Sequence, residues 1–524
     1  MLGLTLLMVA AAVLVGLLAS RVAAAIARDL RRGVFRRVVS FSASETDRFS
    51  TASLITRTTN DVQQIQMTCV ILLRMVAYAP ILGIGGIIHV AQAGSSLTWI
   101  IVLAVALLLA LITVLMQFAM PKFRIMQKLV DRLNLVSREI LTGIMPIRAF
   151  SREQHEEARF DAANTDLMRT QLFTNRVMTF MMPLMMMIMN CITVMIIWFG
   201  GKGIDAGNLQ VGDMMAFITY TMQIVMAFLM ITMISVMLPR AGVAAERIQE
   251  VLDTRPSIHD PSASRDGELE KAKGELTFED VSFRYEGAAE DALEHISFTA
   301  KPGETTAIIG STGCGKSTLI HLIPRFYDVT AGRILIDGVD IREISQHKLR
   351  SLLGFVPQKG NLFSGDIASN IKYGGSHISD EKMIEAAEIA QATEFIDSKP
   401  EGYESPIAQG GSNVSGGQKQ RLALAVSLVA DKDIYIFDEA TSNIDIESEA
   451  VIMENIRELS KTKSVIVISH RLANVVPADL IYYMEAGRLV ESGTHAALMA
   501  QSGGYARLYA TQKNLEEGYA EVLK

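Results

Sequence analysis

Four stretches of this chain, residues 1–20, 75–121, 177–201 and 214–239, contain no Lys, Arg, Asp or Glu. A segment crossing the bilayer needs about 20 consecutive apolar residues. The second stretch is long enough for two, turning near Gln92-Ala93-Gly94-Ser95-Ser96, where small and polar residues cluster. The reading is therefore five membrane-spanning helices. Buried helices of a soluble protein are the alternative, but these seldom exclude charge over runs this long.

The charged residues between the spans set the orientation. Residues 28–69 hold seven Arg, and residues 121–176 hold ten Lys or Arg. Both loops should be cytoplasmic. The turn near Gly94 has no basic residue and the one near Gly203 has Lys202 alone, so these should face outward. An odd number of spans then places Met1 outside, although its flank carries no basic residues to direct that insertion and no signal-peptide pattern. Arg28–Arg37 and Phe123–Arg138 continue the helical apolar spacing beyond the uncharged runs, which predicts helices extending well past the bilayer. Ser42-Ala43-Ser44-Glu45 has the form of a capping box that would start a short helix between them.

Composition changes sharply after residue 253. Residues 1–253 carry 22 basic and 16 acidic side chains, a net +6, whereas residues 254–524 carry 27 and 40, a net −13. A chain that is 50% hydrophobic and 20% charged is neither disordered nor an ordinary nucleic-acid binder. Cys69, Cys191 and Cys314 have no zinc or disulfide spacing. The boundaries expected are a membrane domain over 1–253, a polar linker over 254–274 and an α/β domain over 275–524. The last opens with the alternating Leu276, Phe278, Val281 and Phe283, as a half-buried strand does.

The chemistry lies in that third segment. The apolar run Thr305–Ile309 leads into Gly310-Ser311-Thr312-Gly313-Cys314-Gly315-Lys316-Ser317-Thr318 and then into a helical pattern. This is the strand–loop–helix setting of a phosphate-binding loop. Its glycines let backbone N–H groups wrap a phosphate, Lys316 reaches the β- and γ-phosphates, and the Ser317 hydroxyl suits Mg²⁺. A second apolar run, Ile434–Phe437, ends in Asp438-Glu439. There one carboxylate can hold Mg²⁺ while its neighbour polarises water for attack on the γ-phosphate. An apolar run ending in Asp-Glu is commonplace, and it gains weight only beside the phosphate loop.

With these come Val414-Ser415-Gly416-Gly417-Gln418-Lys419-Gln420-Arg421, Val356-Pro357-Gln358, Ser442-Asn443-Ile444-Asp445 and Ile468-Ser469-His470-Arg471. The set resembles the ATP-binding cassette proteins over essentially the whole chain. The resemblance implies that Ser415, Gly416, Gly417 and Gln418 belong to the signature, Asp445 to the D-loop and Gln358 to the Q-loop. It further implies that Tyr285 stacks on adenine, that Gln358 shares the Mg²⁺, and that Glu439, His470 and Gln358 act in hydrolysis. Residues 143–153 resemble the segment before the second coupling helix of the exporter type, and residues 246–253 the exit from its last span. Two nucleotide-binding domains would pack head to tail, so a second half-transporter, identical or similar, is required. The ligands implied are ATP and Mg²⁺, with no nucleic acid.

Several positions depart from the pattern. Five spans stand where this family typically has six; the first segment resembles the family's second helix, so a further helix is expected upstream of Met1. Val414 replaces the usual Leu, Ala425-Val426-Ser427 lacks a common Arg, and Gln409 stands where many exporters have Glu. Fifteen of the 28 Met fall between Met178 and Met237. Flexible, polarizable Met side chains suit a cavity for varied apolar molecules, though lipid contact or packing is the plainer use. The function expected is ATP-driven export of a small hydrophobic molecule across the cytoplasmic membrane. The alternatives are a regulatory or channel-like membrane subunit and an importer built on the exporter fold.

Overall fold

The computed structural model describes residues 1–92, 97–374 and 377–522. The chain divides into two compact units. The first comprises Met1–Val39 and Thr51–Thr254, and the second Ser40–Ser50 and Arg255–Lys524.

The first unit is helical. Leu2–Val39, Thr98–Thr142, Glu153–Asp205 and Val211–Asp253 run for 38, 45, 53 and 43 residues. At about 1.5 Å per residue even the shortest is nearly twice the ~30 Å hydrocarbon thickness, as the extended helical pattern predicts. Among the described residues four helices are long and apolar enough to cross a membrane, Leu2–Val39, Thr51–Val90, Pro183–Asp205 and Val211–Asp253, and Thr98–Leu111 adds a shorter apolar stretch. These overlap the four uncharged stretches, the second of which holds two of the five expected spans. The expected turn begins after Gln92, where the helix Tyr78–Gln92 ends, and residues 93–96 lie outside the described residues.

One span is not a continuous α-helix. A π-helical turn occupies Arg57–Asp61, Val62–Met75 follows, and the helix restarts at Tyr78 with Pro80 in its first turn. A proline fits there because a first-turn N–H has no helical partner. Tyr78–Gln92 packs along Val211–Asp253, and Thr98–Thr142 along Glu153–Asp205. Leu97, Ile100, Ile192, Ile196, Phe217 and Ile224 form the core between these helices. A Cβ on Gly86 would lie 2.9 Å from Ile224 Cγ1, so a hydrogen at that position permits the close approach. Leu4, Leu7, Val13, Val194 and Trp198 are exposed, an outward apolar surface that fits lipid or a second chain and not water.

The second unit carries the sheets. Its strands are β1 (Leu276–Phe283), β2 (Leu293–Ala300), β3 (Thr305–Gly310), β4 (Ala331–Ile336), β5 (Val339–Asp340) and β6 (Leu353–Val356). Then come β7 (Gly365–Asp366), β8 (Pro406–Ile407), β9 (Ile434–Asp438), β10 (Ser464–Ile468), β11 (Leu480–Glu485) and β12 (Arg488–Gly493). A four-stranded sheet has the order β2-β1-β4-β5, a six-stranded sheet the order β12-β11-β3-β10-β9-β6, and β7 pairs with β8. In the six-stranded sheet β11, β3, β10, β9 and β6 are parallel, and β12 alone runs antiparallel. Every residue of β3, β9 and β10 is buried, as a sheet covered on both faces requires. In β1 the apolar positions step by two, three and two; the long step is a bulge between Phe278 and Val281, where Asp280 has φ +51°.

The short segment Ser40–Ser50 belongs to the second unit. Ser42 caps the helix Ala43–Arg48 in the expected capping box, its N–H donating to Glu45 Oε2 at 2.9 Å. Glu45 Oε1 in turn accepts from Ser257 N at 3.0 Å. Burial opposes the Glu45 charge, but the Ser42 and Ser257 hydrogen bonds outweigh it and hold the carboxyl below its ordinary pKa. The Tyr327 hydroxyl donates to Asp47 Oδ2 at 2.8 Å. The polar stretch that reads as a linker is also pinned to this unit: Ser345 N and Oγ donate to Asp266 at 2.8 and 2.7 Å, and Gln346 N donates to Asp260 at 2.9 Å.

Candidate functional site

Four neighbouring parallel strands end on one edge of the six-stranded sheet, and each delivers a motif there. Strand β3 runs into the Gly310 loop, β10 into Ser469-His470, β9 into Glu439 and β6 into Pro357-Gln358. Register aligns the ends: Ile468 stands opposite both Ile308 and Asp438, and Val356 opposite Phe437. Gln358, Glu439 and His470, 42 to 154 positions from Lys316 in sequence, thus meet it at the carboxyl edge, where open α/β sheets place their ligands.

The phosphate loop is built around two left-handed glycines, Gly313 at φ +83° and Gly315 at φ +103°, a conformation that costs other residues about 1–2 kcal/mol. Gly315 caps the helix Lys316–Leu322. Lys316 is 5% exposed, and its ammonium donates to the Gly310 and Ser311 carbonyls at 3.0 and 2.9 Å. The loop thereby holds its own cation over the space it encloses. Ser311, Thr312, Gly313 and Ser317 are exposed, whereas Cys314 is buried. The Tyr285 hydroxyl is 3.0 Å from Thr318 Oγ1. The Tyr285 ring packs edge-on against Phe283 and Tyr327 and lines a cavity of about 650 Å³ whose other walls include Ser44, Asp47 and Arg48.

The two carboxylates ending β9 have different surroundings. Asp438 is 3% exposed, and burial raises its carboxyl to about 6, with Glu439 adding to the rise and Ser317 and Lys316 opposing it. Its Oδ1 is buried without a hydrogen-bond partner. An orphaned carboxylate oxygen beside a serine hydroxyl is a hard-oxygen donor set suited to a divalent cation. Glu439 is gripped on both oxygens: Gln358 Nε2 donates to Oε2 at 2.9 Å and His470 Nε2 lies 2.8 Å from Oε1. Its backbone sits at φ +47° with its N–H donating to Ile468 O at 2.9 Å. A non-glycine residue in that region stores about 1–3 kcal/mol, which the surrounding contacts must hold.

Ser415 caps the helix Gly416–Leu428 in a capping box with Gln418, whose N–H donates to Ser415 Oγ at 3.3 Å. Gly417 faces the D-loop so closely that a Cβ would lie 2.8 Å from Asn443 O. Gln420 accepts from Asn443 N at 2.7 Å and donates to Ser442 Oγ at 2.8 Å. Asp445 caps the helix Ile446–Ser460, accepting from Ser448 N at 2.9 Å and from Arg421 at 2.7 Å. The Ser448 hydrogen bonds, then the Arg421 charge, hold its carboxyl below the ordinary range.

The expected residues thus fall into two groups, Lys316, Ser317, Gln358, Asp438, Glu439 and His470 in one and Ser415–Gln418 with Asp445 in the other. Among the described residues Ser415, Gly416 and Gly417 make no hydrogen bond to the Gly310–Thr318 loop. Sequence reasoning missed Gln420, Tyr327 and Glu449, the last a buried carboxylate holding Thr441, Asn474 and Arg471. Gln420 lies inside the signature stretch but carries no motif of its own, and the partners of the other two are distant in sequence.

Comparison with known proteins agrees with this arrangement. Residues 1–228 match the family model described as ABC transporter transmembrane region, and residues 293–442 the one described as ABC transporter. An uncharacterized ABC transporter ATP-binding protein of Mycobacterium tuberculosis is 41% identical over 98% of this chain and 88% of its own length. An ATP-dependent lipid A-core flippase of Chromobacterium violaceum is 34% identical over 92% of this chain and 82% of its own length. A solved bacterial Atm1-family ABC exporter with ATP bound superposes with a TM-score of 0.78 at 29% identity, covering 94% of this chain and 86% of that one. Spans, cassette and relatives together place the chain in the ABC transporter family, as an ATP-hydrolysing, exporter-type half-transporter of the membrane that works as a dimer.

Proposed function

We propose that this half-transporter moves a small hydrophobic or lipid-like molecule outward across the cytoplasmic membrane, using ATP bound between the Lys316 loop of one chain and the Ser415–Gly417 segment of its partner. The observation that carries the ATPase reading is the grip of Gln358 and His470 on Glu439 beside the orphaned Asp438.

In this mechanism Lys316 exchanges its contacts with the Gly310 and Ser311 carbonyls for the β- and γ-phosphates. The loop N–H groups and the helix starting at Lys316 supply the remaining positive potential. Tyr285 stacks on the adenine. Glu439 Oε1 or Oε2 accepts the proton of the attacking water, while Gln358 and His470 keep the carboxylate aimed and His470 contacts the γ-phosphate. Ser317, Asp438 and Gln358 would hold Mg²⁺, which when bound offsets charge on the phosphate oxygens. Ser415 and Gly416 are exposed, as are Ser311, Thr312, Gly313 and Ser317 of the phosphate loop; that exposure supports a site completed by a second chain. The partner's helix N-terminus at Gly416 then faces the γ-phosphate.

The substrate reading rests on the last two spans. Met186, Met187, Met215, Met222, Met226 and Met233 are all exposed there, and residues 177–201 and 214–239 hold no charge to serve as a buried counter-ion. The lipid A-core flippases among the relatives point the same way. The test is ATP-dependent redistribution of a fluorescent phospholipid analogue and of a hydrophobic dye in sealed inside-out vesicles. Movement of either that disappears in Glu439→Gln is expected. Movement that persists in that variant contradicts the mechanism, and ATPase that neither probe stimulates or accompanies contradicts the substrate class.

A further inference from the structure

Glu449 is 5% exposed, lies in the first turns of the helix Ile446–Ser460, and has no part in the chemistry derived above. Its carboxylate is nevertheless fully engaged. Oε1 accepts from the Thr441 hydroxyl at 2.6 Å and from Asn474 Nδ2 at 2.8 Å, and Oε2 pairs with the Arg471 guanidinium. Each partner neighbours a working residue. Thr441 follows Glu439 by two positions, Arg471 adjoins His470, and Asn474 also donates to Ser469 Oγ at 3.3 Å. Arg471 reaches back as well, its Nη2 donating to Ser442 O at 3.3 Å and its N–H to Ser469 Oγ at 3.0 Å. One buried carboxylate therefore ties the turn carrying His470 to the segment 441–445 that leads from Glu439 to Asp445.

We propose that Glu449 is a positioning residue for hydrolysis, setting the distance of His470 from Glu439 and coupling that distance to the D-loop. Removing a partner from such a network leaves buried groups unpaired, so loss of the carboxylate should let the His470 turn drift. The inference rests on the proposed roles of Glu439 and His470. Glu449→Gln is the informative change, because the amide oxygen can still accept from Thr441 and Asn474 while the charge facing Arg471 is lost.

The experiment measures Mg-ATP hydrolysis by the purified full-length chain in lipid nanodiscs. Glu449→Gln should lower kcat about tenfold with the KM for ATP changed less than about threefold. In a His470→Ala background the same substitution should cost no further activity, since a residue acting through His470 has nothing left to position. Glu449→Gln combined with Arg471→Gln removes the orphaned guanidinium; it should restore the unfolding midpoint without restoring kcat. An unchanged kcat in Glu449→Gln, an equal fold loss in both backgrounds, or recovery of kcat together with the midpoint overturns the proposal and leaves Glu449 a purely structural group. Full activity of both His470→Ala and Glu439→Gln instead removes the premise, a result distinct from these three.

Discussion

At the scale of single residues, the adjacent carboxylates ending β9 differ in what surrounds them: Asp438 is buried with an unpartnered Oδ1, and Glu439 is held on both oxygens by Gln358 and His470. Nine consecutive residues from Gly310 to Thr318 define the phosphate loop by composition and setting, and Asp438-Glu439 by ending an apolar run. What a sequence does not display is the difference between the two carboxylates, which depends on burial and on partners 31 to 81 positions from Glu439. Burial gives Asp438 a folded pKa of about 6, above its ordinary 3.8. The folded, metal-free protein therefore binds this proton more tightly than the unfolded chain. The group favours folding most below about pH 4, and this contribution is lost as pH rises through 6. At 1.36 kcal/mol per unit the charge costs on the order of 3 kcal/mol at neutral pH. Asp438→Asn should accordingly raise the unfolding midpoint of the cation-free protein at pH 7.5 but scarcely at pH 4.5, as differential scanning fluorimetry in chelator would read, while abolishing ATPase. At Tyr285, stacking on a base is worth about 1–3 kcal/mol, so Tyr285→Ala should raise the KM for ATP by roughly ten- to a hundredfold and Tyr285→Trp should not. A KM unmoved in the alanine variant would remove Tyr285 from the adenine contact.

At the scale of elements, uncharged runs announced the spans, because lipid tolerates no side-chain charge without cost. Helical spacing announced their extensions, and Ser42-Ala43-Ser44-Glu45 announced the short helix between them. The interruptions were less visible. The π-turn at Arg57–Asp61 carries no local sequence mark, and its neighbours in the same unit fix it: Arg57 donates to Arg247 O at 2.7 Å and to Glu250 at 2.8 Å. The bulge in β1 shows in the sequence as a three-residue step among apolar positions that plain alternation does not explain. Close approaches give the sharper tests. Ile224 is 1% exposed, so Gly86→Val should cost about 1–3 kcal/mol through overpacking and lower the unfolding midpoint in detergent. Gly417→Ala should push Asn443 from the signature and reduce ATPase more than tenfold while ATP binding to the Lys316 loop, read with a fluorescent analogue, stays within about twofold. Matching losses of binding and turnover would show that Gly417 serves folding alone.

At the scale of the molecule, the change from a net +6 to a net −13 after residue 253 marks two environments, lipid and water. The chain's division follows it apart from Ser40–Ser50, eleven residues early in sequence that belong to the second, sheet-bearing unit. That exception escaped composition because so short a segment has no hydrophobic core of its own; its partners, Ser257 and Tyr327, lie more than 200 residues away. The central claim is that Glu439 is the base in an ATP site completed by a second chain. It is tested most directly by incubating purified Glu439→Gln protein in nanodiscs with Mg-ATP and measuring both retained nucleotide and turnover. The account predicts one unhydrolysed ATP retained per chain in a stable dimer, with turnover at least about a hundredfold below the unmodified protein. Turnover above a tenth of that protein's rate, or ATP held by single chains, would contradict it.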